Sequence, residues 1–419
     1  MKLVSFNKSS YFEHVLGNYE RDSMYKSINP GERVVVNDEV GISLAVKSKE
    51  SIESISDFMP LYYGQVQRPA KFRGKKVLFY RGRGIGDQLI ITCLSRFFTE
   101  KLGAICFQLC DYQQEAFWAG NPYIHNLPVR FPLGIDAFLR GRGIKSYYDY
   151  FFAFESVTEW ITEQEQGNVY DHLFSLAGFD PDNIEQSYKR PVWGYLDQDI
   201  AMWKIWKESI GLECKKETEI DKKGIVTILD KEILDINNVG DNDEKYIMFQ
   251  FTTTNKVRNP PNSVIIKILD RLNDIGLKII CFDDKPCDPE LLTAMSFRKN
   301  CQFVQSIPGG IRGVATALVK SSMIVSPDSM ALHFAAVFAT PAIGIWGPFS
   351  PESRCKYYNN QFHLYHPEKC PFSPCFNYKN SFPIEKCPEG KETLTCEVFN
   401  GITSEEINNV INECVKKIK

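Results

Sequence analysis

A rhythm that occurs twice constrains this chain most. Residues 75–94, KKVLFYRGRGIGDQLIITCL, contain a short apolar run (77–80) that ends in glycines. An apolar face at helical spacing follows: Leu89, Ile90, Cys93, Leu94 and Phe97. Residues 104–109 then read as a second strand. Strand, helix, strand is the sign of a parallel sheet, whose neighbouring strands need a crossover connection. The rhythm restarts with a strand at 246–251 and a helical face of Val264, Ile265, Ile268, Leu269 and Leu272 that ends near Gly276. Strands at 278–282, 323–325 and 342–346 follow, with a helix over about 329–338. Two α/β units are expected, since 419 residues exceed one ordinary core.

The rest divides around them. Residues 1–72 read as a small N-terminal extension, β-rich because ERVVVNDEVGISLAV suggests two short strands around Asn37 and Asp38. The first unit covers 73–240 and includes NVYDHLFSLAGF, a helix stopped by Gly178. Residues 195–245 are charged and polar, and the boundary falls there, with a hinge expected near 235–245. The second unit covers 241–400. Residues 401–419 form an amphipathic helix opened by a capping box, Thr403 with Glu406. Two facing units imply a cleft, and open α/β sheets bind ligands beyond the carboxyl ends of their strands.

Composition excludes some classes. Net charge is −3, so no bulk electrostatic case for nucleic acid exists. No run of about 18 uncharged apolar residues suggests a spanning helix. The first residues lack the apolar block of a secretory signal, and a cytoplasmic protein is expected. Of thirteen cysteines, nine are scattered, and several of these sit in apolar runs where a buried free thiol is at home. Four cluster within a Cys-rich segment at 366–397: Cys370, Cys375, Cys387 and Cys396. Four thiolates can hold zinc, although the C-x4-C-x11-C-x8-C spacing is irregular. They are candidates for a structural metal, with free thiols the alternative.

Three strand-to-helix loops carry the candidate chemistry. In RGRGIGDQL no Lys-Ser or Lys-Thr follows Gly86, so a Walker loop is excluded, and the glycine spacing is one short of a dinucleotide fingerprint. What remains is a turn that delivers Asp87 to a helix start, either as a cap or as a general base facing the cleft. In QFTTTNKVRNPPNSV, Thr252, Thr253, Thr254, Lys256 and Arg258 are candidates to surround a phosphate, or form a polar capping loop. In SMIVSPDSMALHFAAVFATPAIGIWGPFSP, a strand ends at Pro327-Asp328-Ser329 and the next helix carries His333. Its N-terminus is suited to an anion, and Asp328 to a sugar or ribose hydroxyl or to capping.

The third stretch resembles glycosyltransferase family nine, the heptosyltransferases, which carry a similar Asp-Ser/Thr-Gly-x-x-His segment before a Pro-containing turn and a Gly-Pro. Gly86-Asp87, Thr252 to Thr254 with Lys256, and the CPFSPC segment match further family features in order. Met330 stands where the family has Gly, and FDDKPCDPE, with Asp283 and Asp284, replaces a loop of small residues. The resemblance implies a GT-B fold, two Rossmann-like domains facing a cleft. It also implies inverting, metal-independent transfer from a nucleotide-diphosphate sugar, ADP-linked heptose in the family, to a hydroxyl of a glycan such as the lipopolysaccharide core. In that reading Asp87 is the base. Gly86, Thr252, Thr253, Thr254, Lys256, Arg258, Asp328, Ser329 and His333 hold the nucleotide sugar. The C-terminal helix would pack back on the first domain. A lipid-linked acceptor would require peripheral contact with the inner membrane. The alternatives are a non-catalytic nucleotide-sugar or glycan-binding protein on the same fold, and a protein or modified-nucleobase acceptor.

Overall fold

The computed structural model describes residues 2–6, 33–36, 52–57, 72–80, 84–109, 117–125, 149–153, 167–212, 245–253, 256–283, 286–374 and 395–418. Strands β1 (Lys2–Phe6), β2 (Arg33–Val36) and β3 (Ile52–Asp57) form an antiparallel sheet in the order β2-β1-β3. The strand read from Val34 to Val36 is present, but it pairs with the chain start, Leu3 opposite Val35. Its expected partner after Asp38 lies outside the described residues, as do residues 235–244 of the hinge expected near 235–245.

The first α/β unit runs through β4 (Lys76–Tyr80), α1 (Ile85–Ile90), α2 (Thr92–Glu100), β5 (Ile105–Leu109), β6 (Tyr150–Ala153) and α3 (Val169–Leu176). Its strands are parallel in the order β5-β4-β6, so the loop after β4 leaves the middle of the described sheet. Aromatic rings fill the space beneath α2. Phe98 meets Phe72 and Phe79 edge-on at 4.9 and 5.2 Å, and Phe79 stacks on Phe152 at 5.5 Å. Asn168 caps α3 by accepting from the Tyr170 N–H, and Gly178, at φ 87°, ends the turn that follows it.

The charged segment after residue 195 holds a helix, α4 (Asp197–Ser209). Trp203 and Trp206 are buried on one face, and Trp203 Nε1 donates to Tyr246 Oη at 2.9 Å. Ile200, Trp203, Trp206 and Ile210 recur at helical spacing, a signal diluted by the intervening charges.

The second unit has six parallel strands: β7 (Tyr246–Gln250), β8 (Lys278–Phe282), β9 (Cys301–Val304), β10 (Met323–Pro327), β11 (Ala342–Ile345) and β12 (Gln361–Leu364). The helices are α5 (Asn262–Asn273), α6 (Pro289–Ser296), α7 (Gly310–Lys320), α8 (Met330–Val337), the short α9 (Pro351–Cys355) and α10 (Ser404–Val415). The order β12-β11-β10-β7-β8-β9 is the doubly wound arrangement, with its topological switch point between β7 and β10. Both strands at that point are buried, as a central parallel pair should be.

Helix α10 starts as its capping box requires, with Thr403 accepting from the Glu406 N–H. It does not return to the first unit. Ile407, Ile411 and Cys414 join the core of the second sheet with Ile265 and Leu269, and Arg271 donates to Asn412 Oδ1 at 2.6 Å. The apolar stripe of the helix matches the face beside β12 and α5, and burial there decides its placement.

The units are joined through a shared core and one buried charge. Phe334 and Phe338 of α8 pack on Trp193 at 5.4 and 6.4 Å, and Tyr195 stacks on Phe338. Arg312 of α7 pairs with Asp199 and donates to the carbonyls of Phe117, Ala119 and Gly194, its guanidinium over the Trp193 ring. Among the described residues no helix is long and apolar enough to cross a membrane.

Candidate active site

The third loop and the second loop flank the switch point. Gln250 ends β7, with Thr252 and Thr253 beyond it; beyond β10 lie Asp328 and Ser329. Gln250 ties them, accepting from Ser329 Oγ at 3.2 Å and donating to the Thr252 carbonyl at 3.0 Å. Ser329 is the N-cap of α8 and accepts from the Ala331 N–H at 3.1 Å. Arg258 reaches across from a turn at Lys256–Arg258 and donates to both the carbonyl and the carboxylate of buried Asp328, each at 3.3 Å.

The threonines hold the loop itself. Thr253 donates its N–H and its hydroxyl to Asn259 Oδ1 at 2.7 and 3.0 Å. The Thr252 hydroxyl donates to the carboxylate of Asp283, which is buried just past the end of β8. Lys256 is exposed at the start of its turn. Thr254 lies outside the described residues, as do Asp284, Cys375 and Cys387. Cys370 and Cys396 are buried in the apolar core of the second unit. Among the described residues no group of His, Cys, Asp and Glu is arranged to hold a metal ion.

The first unit brings Asp87 to this place. Gly86, in the first turn of α1, lies on the N-terminal turn of α8. A Cβ on Gly86 would come 3.2 Å from His333 Cδ2 and 3.5 Å from Met330 Cα. A side chain here would crowd the His333 ring, which would have to shift by a few tenths of an ångström. Met330 therefore faces a glycine of the other unit. Asp87 follows in the same turn, its carboxylate folded back over Gly84.

His333 sits behind both carboxylates and is 5 % exposed. Burial pushes its pKa down to about 4, with Arg354 adding to the depression, while Asp328 and Asp87 pull the other way. The imidazole is therefore neutral near pH 7. Its Nδ1 lies 2.8 Å from Tyr358 Oη, which in turn is hydrogen-bonded to Tyr170 Oη of α3. Neither tyrosine carried a chemical signal in the sequence: Tyr170 lay within a helix and Tyr358 in an unremarked turn. Close by, Tyr357 donates to Asp171, which also receives Lys189, so α3 and the segment after α9 are joined by several polar contacts.

The site thus gathers Gly86, Asp87, Arg258, Asp328, Ser329 and His333 at the junction of two sheets, with the threonine loop alongside. It presents a carboxylate, a helix N-terminus and a neutral imidazole, which suits deprotonation beside a departing anion. The family model of glycosyltransferase family 9 (heptosyltransferase) matches residues 211–384. No curated protein matches the chain by sequence. Among solved structures the chain is similar to the ADP-heptose LPS heptosyltransferase II of E. coli, at 11% identity and a TM-score of 0.54, over 82% of this chain and 99% of that one. A family 9 glycosyl transferase from Veillonella parvula DSM 2008 gives 12% identity and a TM-score of 0.55, over 83% and 98%. The iron-containing dodecameric glycosyltransferase TibC of enterotoxigenic E. coli H10407 gives 13% and 0.51, over 83% and 78%. At these identities the likeness is one of fold, the GT-B arrangement of two facing α/β units.

Proposed function

We propose, taking as premise that this chain is a glycosyltransferase with a family 9 (heptosyltransferase) domain, that it moves a sugar from a nucleotide-diphosphate donor to a hydroxyl of a glycan acceptor with inversion. The observation that carries the proposal is the contact of Gly86 with the start of α8. It sets Asp87 from one unit beside the switch-point loops of the other.

In this reading the donor lies across the switch point. Asp283, at the end of the second strand of a doubly wound sheet, takes a ribose hydroxyl, and the Thr252 hydroxyl orients its carboxylate. The diphosphate lies against the start of α8, where the helix dipole and Lys256 meet the charge that grows as the sugar leaves. Arg258 holds Asp328 in place for the sugar. Asp87 removes the acceptor proton as its oxygen attacks the anomeric carbon, and the bond to the diphosphate oxygen breaks on the opposite face. The route calls on no metal ion. An ADP-linked, heptose-like donor and a lipopolysaccharide-type acceptor follow from the names of the structural relatives and stand as part of the proposal. So does a cytoplasmic location, with the membrane touched only through a lipid-linked acceptor.

The test is a thermal-shift series with ADP, UDP, GDP and CDP and their sugars, followed by transfer assays with Asp87→Asn. A bound nucleotide at 100 times its Kd stabilises by about 2.7 kcal/mol. The Asn variant keeps that shift and loses about 10²–10⁴-fold in turnover. If no nucleoside diphosphate stabilises the protein, the donor site is misassigned. If nucleotides bind but no transfer is ever detected, the chain is a binding protein on this fold.

A further inference from the structure

Tyr170 and Tyr358 take no part in the transfer step, yet they form a buried hydrogen-bonded chain that ends on the site. Tyr170 comes from the first unit and is fully buried; Tyr358 and His333, of the second unit, are each 5 % exposed. Burial raises both phenols well above their ordinary pKa, so each keeps its proton. His333 is neutral and carries one proton, on Nδ1 or on Nε2.

Either way one proton of the three is left without an acceptor, and its place decides between them. If Nδ1 carried the proton, it would donate to Tyr358 Oη, and Tyr358 would donate to Tyr170. The Tyr170 proton would then need a further acceptor, and among the described residues Tyr170 Oη bonds only Tyr358. A buried hydroxyl left without an acceptor costs about 1–3 kcal/mol. In the reverse order Tyr170 donates to Tyr358 and Tyr358 donates to Nδ1, and the one proton left over is moved from the fully buried Tyr170 to His333 Nε2 at the seam. The histidine proton then sits on Nε2. That nitrogen has no hydrogen-bond partner among the described residues, and Cδ2, to which it is bonded, faces Gly86 at the seam. Asp87 and Asp328 both act on the ring.

We propose that Tyr170 and Tyr358 are positioning residues that hold His333 as a neutral imidazole with its proton on Nε2, offered as a hydrogen-bond donor to an oxygen of the nucleotide sugar. The inference rests on the transferase reading for its substrate, but not for its tautomer. Because Tyr170 belongs to the first unit, the tautomer of a donor-site residue is set from across the interface.

The experiment is ring-nitrogen and Cδ2 NMR of the full chain with labelled histidine at pH 7, without nucleotide. The wild type is expected to show the Nε2–H tautomer. In Tyr358→Phe, the Nδ1–H form gains population. Tyr170→Phe, which leaves Tyr358 its own proton, falls between the two. A merely structural tyrosine would not move this signal. In transfer assays Tyr358→Phe lowers kcat on the order of tenfold, less than the loss of a direct transition-state donor, while the donor KM changes by less than about twofold. An Nδ1–H tautomer in the wild type overturns the proposal, and this arm stands even where Tyr358→Phe does not fold. An unchanged tautomer in a folded Tyr358→Phe protein overturns it as well. If the tautomer behaves as expected but no nucleoside diphosphate binds, the relay stands and the substrate assignment fails instead.

Discussion

Among the polar contacts that hold the halves of this molecule together, two clusters are built on opposite plans. Around Arg312 the donors of the guanidinium are taken up by Asp199 and by three backbone carbonyls. The ion pair is buried on both sides, with 9 % and 5 % of the side chains exposed. Around His333 the hydrogen-bonded groups themselves, one imidazole and two phenols, are neutral although carboxylates lie near, and one ring nitrogen is left over at the seam. A cluster that satisfies itself can only hold. A cluster with a donor to spare can act on something else. The first is a joint and the second part of a site, although both lie between the same two units.

The largest expected effect breaks the joint. Arg312→Ala leaves Asp199 charged and buried, and its removal is expected to cost about 3–5 kcal/mol in denaturant unfolding. Arg312→Ala with Asp199→Ala recovers part of that loss, because the stranded charge is gone. If the single variant unfolds like the wild type, the joint is not the connection described here.

Next is the acid limb. His333 is buried and His363 is partly buried, and desolvation lowers the pKa of each to about 4. For each, the unfolded state takes up the proton first. The stability of the neutral form is complete above the unfolded value of 6.5 and is lost as pH falls toward 4. Melting temperature should fall over that window, and His333→Gln should flatten the fall while removing ~3 kcal/mol of pH dependence.

Smaller again is Gly86→Ala. Helix propensity favours Ala by about 1 kcal/mol, while the contact to His333 opposes it. Stability is expected to change by less than about 1 kcal/mol while transfer falls about tenfold, since the base turn must shift off α8. Equal loss in both would make the contact structural only.

The smallest effect is a control of opposite sign. Burial pulls the His366 pKa down, but Glu406 at 2.5 Å and Glu368 at 2.9 Å lift it above its ordinary value. Its contribution is complete below the unfolded value of 6.5 and fades as pH rises through the raised folded pKa. His366→Gln should therefore remove a small loss of melting temperature on the alkaline side.

Much of the fold was legible because it is written locally. The strand at Lys278–Phe282 is bounded in the structure as it is in the apolar run, and the Thr403 capping box opens α10 where the hydroxyl and the glutamate sit three residues apart. Helix α4 escaped because charges interrupt its Trp and Ile face, and its burial depends on Tyr246, 43 residues away. Of the site, Asp87, Asp328 and Ser329 were visible as polar residues at strand-to-helix turns, where chain direction alone places them at the carboxyl ends of a sheet.

What the sequence determined by itself, then, is the α/β rhythm, the turns and the loops that carry polar residues, since periods of two and 3.6 and the conformational limits of glycine act over a few residues. What only the tertiary structure decided is partnership: Arg312 with Asp199, Tyr170 with Tyr358 and His333, Gly86 against Met330, and α10 on the second sheet. Those contacts join residues that lie far apart in the chain, in most cases more than a hundred positions. Their energies come from burial and from the satisfaction of buried polar groups, which exist only once the two units have closed on each other.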